Sequence, residues 1–276
     1  MTRTASSQGR PAFEQASADK WRLLPREHGA YAQVIFPLLT ALALGNRSAP
    51  QFLWAAASMA LFVAHEPLLI LAGERGRRSH AELSEHAQRL ATILSLIALG
   101  AGALGWWHAP QAARVAVIVP LGLGVFLVPL IINHHEKSLP GELLASLTFS
   151  TMLIPIALAG GVGLRPALIA SAVWSTIFSL GTFMVRAAIA NVKKNAPSRW
   201  PVYASTALGL AAIVASSMLL LIDVLPVLAA AAILPAALIT LGCNLAGVHP
   251  RHLRKMGWSL VGSNFIALAA LIVGLR

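Results

Sequence analysis

Nine apolar runs separated by short polar breaks constrain this chain more than any other feature. They lie at about residues 29–46, 51–72, 90–107, 113–132, 141–160, 166–185, 201–222, 224–246 and 258–275. Each is close to the ~20 residues needed to cross the hydrocarbon core of a bilayer as a helix. A helix is required there, because the bilayer core holds no water to satisfy free backbone groups. Of the 276 residues 57% are hydrophobic and only 11% are charged, against about 25% charged in soluble domains. So few charges cannot cover a water-facing surface, and mean hydropathy is +0.71. A soluble enzyme, a disordered scaffold and a two-domain globular protein are all excluded. The expected fold is all-α, a polytopic bundle of nine transmembrane helices over residues 21–276. Residues 1–20 are polar and lack the apolar stretch of a signal peptide, so a disordered cytoplasmic tail is expected there.

Basic residues set the expected orientation. With the N-terminus inside, only Arg47, Arg114, Arg165 and Arg276 fall outside, and the rest of the 21 Lys and Arg lie on the cytoplasmic side. That asymmetry predicts an inner N-terminus and an outer C-terminus. It also accounts for the net charge of +11 without nucleic acid, since no basic stretch carries interleaved aromatics. The single cysteine, Cys243, lies in an apolar run and rules out an internal disulfide. Glycines in GAGALG (100–105) and GLG (122–124), with the alanine run at 229–232, are expected to let helix backbones approach closely.

The same alternation sorts the ionisable groups. All acids but Asp223 and all histidines but His108 fall on the inner half, so a site is expected to open inward. Glu66, beside His65 in HEPLLILAGERGRR, is an intramembrane carboxylate eight residues before Glu74. Such a group must be paired, protonated or turned into the bundle. Pro67 is expected to kink the helix beside it, leaving a notch for the pair. Arg26, Glu27 and His28 open the first run. His134 and His135 end the fourth, and Glu142 opens the fifth. Neighbouring histidines point about 100° apart on a helix, so they cannot chelate one ion together. One of them, with His28 or His65 and a glutamate from another helix, would form a mixed nitrogen and oxygen metal site. The candidate catalytic set is therefore Glu66, His65, Glu27, His28, His134, His135 and Glu142. Arg26, Arg75, Arg77, Arg78 and Arg186 are the candidate anion-binding residues. Lys193, Lys194, Arg251, Arg254 and Lys255 are assigned to lipid headgroups and orientation. No phosphate-binding loop, nucleophile elbow or zinc motif is present.

PREHGAYAQVIFPLL (25–39), HEPLLILAGERGRR, SLPGEL (138–143), FMVRA (183–187) and RKMGWS (254–259) resemble the YwiC-like family of bacterial integral membrane proteins. This implies the bacterial cytoplasmic (inner) membrane. Nine spans with polar motifs at the inner ends of the second and sixth also resemble the UbiA prenyltransferase superfamily, implying a UbiA-like bundle. In that superfamily two acidic motifs hold Mg²⁺ for a prenyl diphosphate. The spacing of the first falls here on Glu66, Ile70 and Glu74, and the second region, Arg186–Asn195, carries no acid. The resemblance thus implies a divalent cation such as Mg²⁺, with Glu66 and Glu74 as candidate ligands, and a membrane lipid or isoprenoid as partner. The expected function is an inward-facing polar cavity serving an intramembrane transferase for an isoprenoid or lipid (pyro)phosphate. The alternatives are a transporter of a small anion or metal ion, or a non-catalytic subunit of a membrane complex. The nearly apolar outer half favours the transferase, because a transporter needs polar groups at the midplane and beyond.

Overall fold

In a computed structural model, residues 23–24, 28–191 and 199–276 are described, apart from the side chain of His28. Their elements are helical: α1 (His28–Leu44), α2 (Ala49–Leu71), α3 (Arg77–His108), α4 (Gln111–Ala116), α5 (Ile118–Ile132), α6 (Leu139–Ala159), α7 (Leu164–Ala190), α8 (Trp200–Leu221), α9 (Val227–Leu245) and α10 (Leu253–Leu275). Helices α4 and α5 follow each other as one apolar segment. Counting them so, eight of the described helices are long and apolar enough to cross a membrane, and α1 is a shorter apolar helix. The chain is a membrane protein built as a helix bundle, with the nine apolar runs as its helices.

The residues explain the departures from the expected boundaries. Residues 77–89 continue α3 rather than forming a loop. Helix-favouring side chains occupy this stretch, and the pairs Arg78–Glu82 and Arg89–Glu85 stand four residues apart on its exposed side. Leu83 and Ala87 on its inner side close a small core with Leu23 and Ile70. The fourth run divides at Val117 because Pro120 has no N–H to return to the carbonyl of Ala116. Helix α2 runs through Pro67 without ending, so Glu66 sits five residues from its last residue. That places Glu66 about 7.5 Å inside the helix end, at 1.5 Å per residue.

The core centres on Trp174 of α7, which is fully buried. Its indole Nε1 donates to Thr40 Oγ1 at 2.9 Å, and Thr40 in turn donates to the carbonyl of Phe36 at 2.8 Å. The small residues divide by role. Gly105 packs against the Trp54 ring and Gly102 accepts its Nε1–H at 3.2 Å, and along GAGALG α3 lies close against α2 as expected. A Cβ at Gly274 would stand 2.7 Å from that of Leu228, and there α9 and α10 do approach closely beside the buried alanines. Gly122 and Gly124 meet no neighbour within 4 Å of a Cβ position, so the expected close approach at GLG does not occur. Gly124 instead lines a cavity.

Candidate functional site

A cavity of about 1750 Å³ runs between α1, α2, the start of α3, α5, α6, α7 and α10. Its lining extends from Gly29 to Leu39 along α1 and from Pro120 to Ile131 along α5. Ten and eleven residues of helix give a depth of about 15–16 Å, close to half of the ~30 Å hydrocarbon core. One end is charged, with Glu66, Arg75, Glu136, Lys137, Glu142 and Arg254 in its wall. The remainder is mostly apolar, and Phe36, Phe62, Phe149, Phe178 and Phe265 contribute rings. Helix α5 packs mainly against α6. Its cavity-lining Val125 and Val128 are exposed, as are Trp258 and Phe265 of α10.

The charged end is assembled by three helix termini. Helix α2 closes in a Schellman turn: Glu74 N–H donates to the carbonyl of Leu69 at 3.0 Å and Gly73 N–H to that of Ile70 at 3.1 Å. Gly73 takes φ +80° and Gly76 φ +87°, a left-handed backbone that glycine adopts without steric cost. Between these two glycines Arg75 returns over the end of α2. Its Nε donates to Glu66 Oε1 at 2.8 Å and its Nη2 to Glu66 Oε2 at 2.6 Å, a bidentate pair. Glu66 is 6% exposed, and the guanidinium pairs a carboxylate that has been taken out of water. Arg75 Nη1 also reaches Glu136 Oε1 at 3.4 Å.

Helix α5 ends in the same turn type, with His135 N–H donating to the carbonyl of Leu130 at 2.7 Å and His134 at φ +55°. His134 Nδ1 contacts Glu74 Oε2, so the loops after α2 and α5 are joined twice. Ser138 caps α6 by accepting from Gly141 N–H at 3.3 Å. Gly141 is needed there, since a Cβ would stand 2.5 Å from the Glu136 carbonyl oxygen and 2.7 Å from that of His135. Arg186 of α7 completes the rim, donating from Nε to Glu142 Oε2 at 2.9 Å and from Nη2 to the Lys137 carbonyl at 2.8 Å.

The sequence-derived candidates therefore separate. Glu66, His65, Glu142 and Arg75 line the cavity together. Arg186 braces the rim. Arg77 and Arg78 are exposed, and Arg78 pairs with Glu82. His134 and His135 are exposed as well, in the turn after α5. Arg26 and Glu27 lie outside the described residues, as does the side chain of His28; Lys193 and Lys194 also lie outside them. Glu66 and Glu74 take different partners, Arg75 and His134. Among the described residues no three His, Cys, Asp or Glu side chains gather as a metal site.

Sequence reasoning undervalued three cavity residues. Arg254 was assigned to lipid headgroups yet lines the charged end, while Glu136 and Lys137 form its wall from a turn that drew attention only for its histidines. A charge next to a helix end could have flagged them, but every inner loop of the chain carries that signal.

Residues 24–157 match the family described as YwiC-like protein. This YwiC-like segment covers α1 to α5 and nearly all of α6, and with them Glu66, Arg75, Glu136, Lys137 and Glu142. Arg186 and Arg254 fall beyond it. No curated protein and no solved structure matches the chain.

Proposed function

We propose that the cavity binds an isoprenoid or lipid phosphate and that the protein is an intramembrane transferase acting on it, with the charged end toward the cytoplasm of a bacterial inner membrane. One observation carries this reading: a cavity one leaflet deep is apolar along its length and holds its cations at a single end. A lipid chain fills such a body by the hydrophobic effect. A phosphate meets Arg75, Lys137 and Arg254, whose N–H groups supply charge-assisted hydrogen bonds. The exposed apolar residues of α5 and α10 offer a lateral way in from the bilayer.

Glu66 acts here mainly on Arg75. Both carboxylate oxygens are engaged by the guanidinium, so it fixes the direction of a cation and is not a free base. His65, its neighbour in the cavity wall, is the group suited to take a proton from an incoming nucleophile. In the transfer, the bond from the lipid carbon to the phosphate oxygen breaks and a bond to an acceptor oxygen or nitrogen forms. The acceptor's proton passes to His65, and the departing phosphate keeps its charge against the arginines.

The test is mass spectrometry of lipid retained by the detergent-purified protein, with titration of dioleoyl phosphatidic acid into delipidated samples. Binding of a lipid phosphate that falls at least tenfold in Arg254→Ala supports the reading. Equal binding of dioleoyl phosphatidic acid and uncharged dioleoylglycerol by the wild type refutes it.

A further inference from the structure

The charged end of the cavity carries both signs in equal measure. Apart from His65, its charged lining residues are Glu66, Glu136 and Glu142 against Arg75, Lys137 and Arg254. Part of this charge is satisfied within the wall. Glu66 offers both oxygens to Arg75. Glu136 Oε1 meets Arg75 Nη1 only at 3.4 Å, beyond the ~2.7–2.9 Å of a strong charge-assisted bond. Glu142 Oε2 accepts from Arg186 Nε at 2.9 Å. Three groups are left over. Glu136 Oε2 and Glu142 Oε1 accept no hydrogen bond among the described residues, although their side chains are only 23% and 40% exposed. The Arg254 guanidinium makes no hydrogen bond or ion pair among those residues either.

These open groups belong to one mouth. A Cβ on Gly141 would stand 2.5 Å from the Glu136 carbonyl oxygen, so the backbones that carry Glu136 and Glu142 are in contact. Arg186 of α7 ties Glu142, and the single helical turn Pro250–His252 that leads into Arg254 packs on α7 as well. The mouth therefore has an anionic pole and a cationic pole, both open to a ligand. Charge decides what fits between them. The six lining side chains cancel, and Arg186 adds one positive charge at the rim. A diphosphate would bring several negative charges against Glu136 and Glu142, and like charges set together lower affinity. A phosphodiester brings one, which Arg254 can take. A primary ammonium on the same headgroup has three N–H donors for the two open carboxylate oxygens. A quaternary ammonium has no N–H to give.

We propose that the ligand is a phospholipid with a zwitterionic headgroup, a phosphodiester followed by a primary ammonium, and that Arg254 receives its phosphate while Glu136 and Glu142 receive its ammonium. This rests on the lipid-phosphate reading above and narrows it to one headgroup class. The experiment compares four probes on the full-length, delipidated protein in dodecyl maltoside. They are dioleoyl phosphatidylethanolamine, dioleoyl phosphatidylglycerol, dioleoyl phosphatidylcholine and uncharged dioleoylglycerol, which share their chains and differ in the headgroup.

The wild type is expected to bind the ethanolamine lipid about tenfold more tightly than the glycerol or choline lipid, the effect of one hydrogen bond between charged groups. In Glu136→Gln its preference over phosphatidylglycerol falls below about threefold, and phosphatidylglycerol itself binds more tightly because one carboxylate has left the wall. Glu142→Gln moves both quantities in the same direction and serves if Glu136→Gln does not fold. A purely structural role of either glutamate would weaken both lipids alike and keep their ratio, and that result in both variants overturns the proposal. Wild-type binding of phosphatidylglycerol or phosphatidylcholine as tight as that of phosphatidylethanolamine overturns it too. If those lipids still exceed dioleoylglycerol, the lipid-phosphate reading stands. If no phospholipid exceeds dioleoylglycerol, both fall.

Discussion

Removing Arg75 should cost far more than removing its partner, and the asymmetry follows from burial. Glu66 is 6% exposed and meets Arg75 through both oxygens, whereas the Arg75 side chain is 28% exposed and also reaches Glu136. In Arg75→Met a buried carboxylate is stranded, and losing one partner of a buried ion pair costs about 3–5 kcal/mol. In Glu66→Gln the guanidinium keeps Glu136 and water, and the loss is that of a charge-assisted hydrogen bond, about 1.5–3 kcal/mol. The double variant Glu66→Gln/Arg75→Met strands no charge. It should lie close to Glu66→Gln alone, giving a coupling of about 3–5 kcal/mol in the double-mutant cycle. Equilibrium unfolding in mixed micelles, followed by circular dichroism, measures all four corners. Equal losses in the two single variants, or strict additivity in the double, would refute the reasoning.

Two further outcomes follow from packing. Gly141→Ala should destabilise by about 1–3 kcal/mol, the range for overpacking, because its Cβ would meet the backbone oxygens of Glu136 and His135, which cannot swing aside; thermal unfolding reads this, and lipid-phosphate binding should weaken with it as the Arg75–Glu136 contact shifts. Thr40→Val should cost about 1–3 kcal/mol by stranding the fully buried Trp174 indole N–H. Trp174→Phe in the Thr40→Val background, having no donor to strand, should lose less than the sum of the two single changes.

How much could be read beforehand differs by level. The helices were legible because the bilayer leaves an apolar run of ~20 residues no alternative to an α-helix. Where polar side chains entered a run, the reading was right about position and incomplete about role. Glu66 was expected to be paired, protonated or turned into the bundle; its partner came from a turn shaped by Gly73 and Gly76, and a turn's direction is not a periodic signal. The extension of α3 to Arg77 was missed because its charges looked like a loop. They form the exposed face of a helix whose other face packs on Leu23 and Ile70.

Local residue type and order were enough to specify how many apolar segments become helical, roughly where most of them begin and end, and that acids and histidines gather toward one end. Only packing decided which of those groups meet. Arg75 and Glu66 stand nine residues apart in the chain, and Arg186 and Glu142 forty-four. Contacts between helices depend on the rotation and tilt of each about its axis. In a bilayer those are set by shape, small residues and buried polar pairs rather than by hydrophobic patterning, because lipid is as apolar as the helix faces it covers.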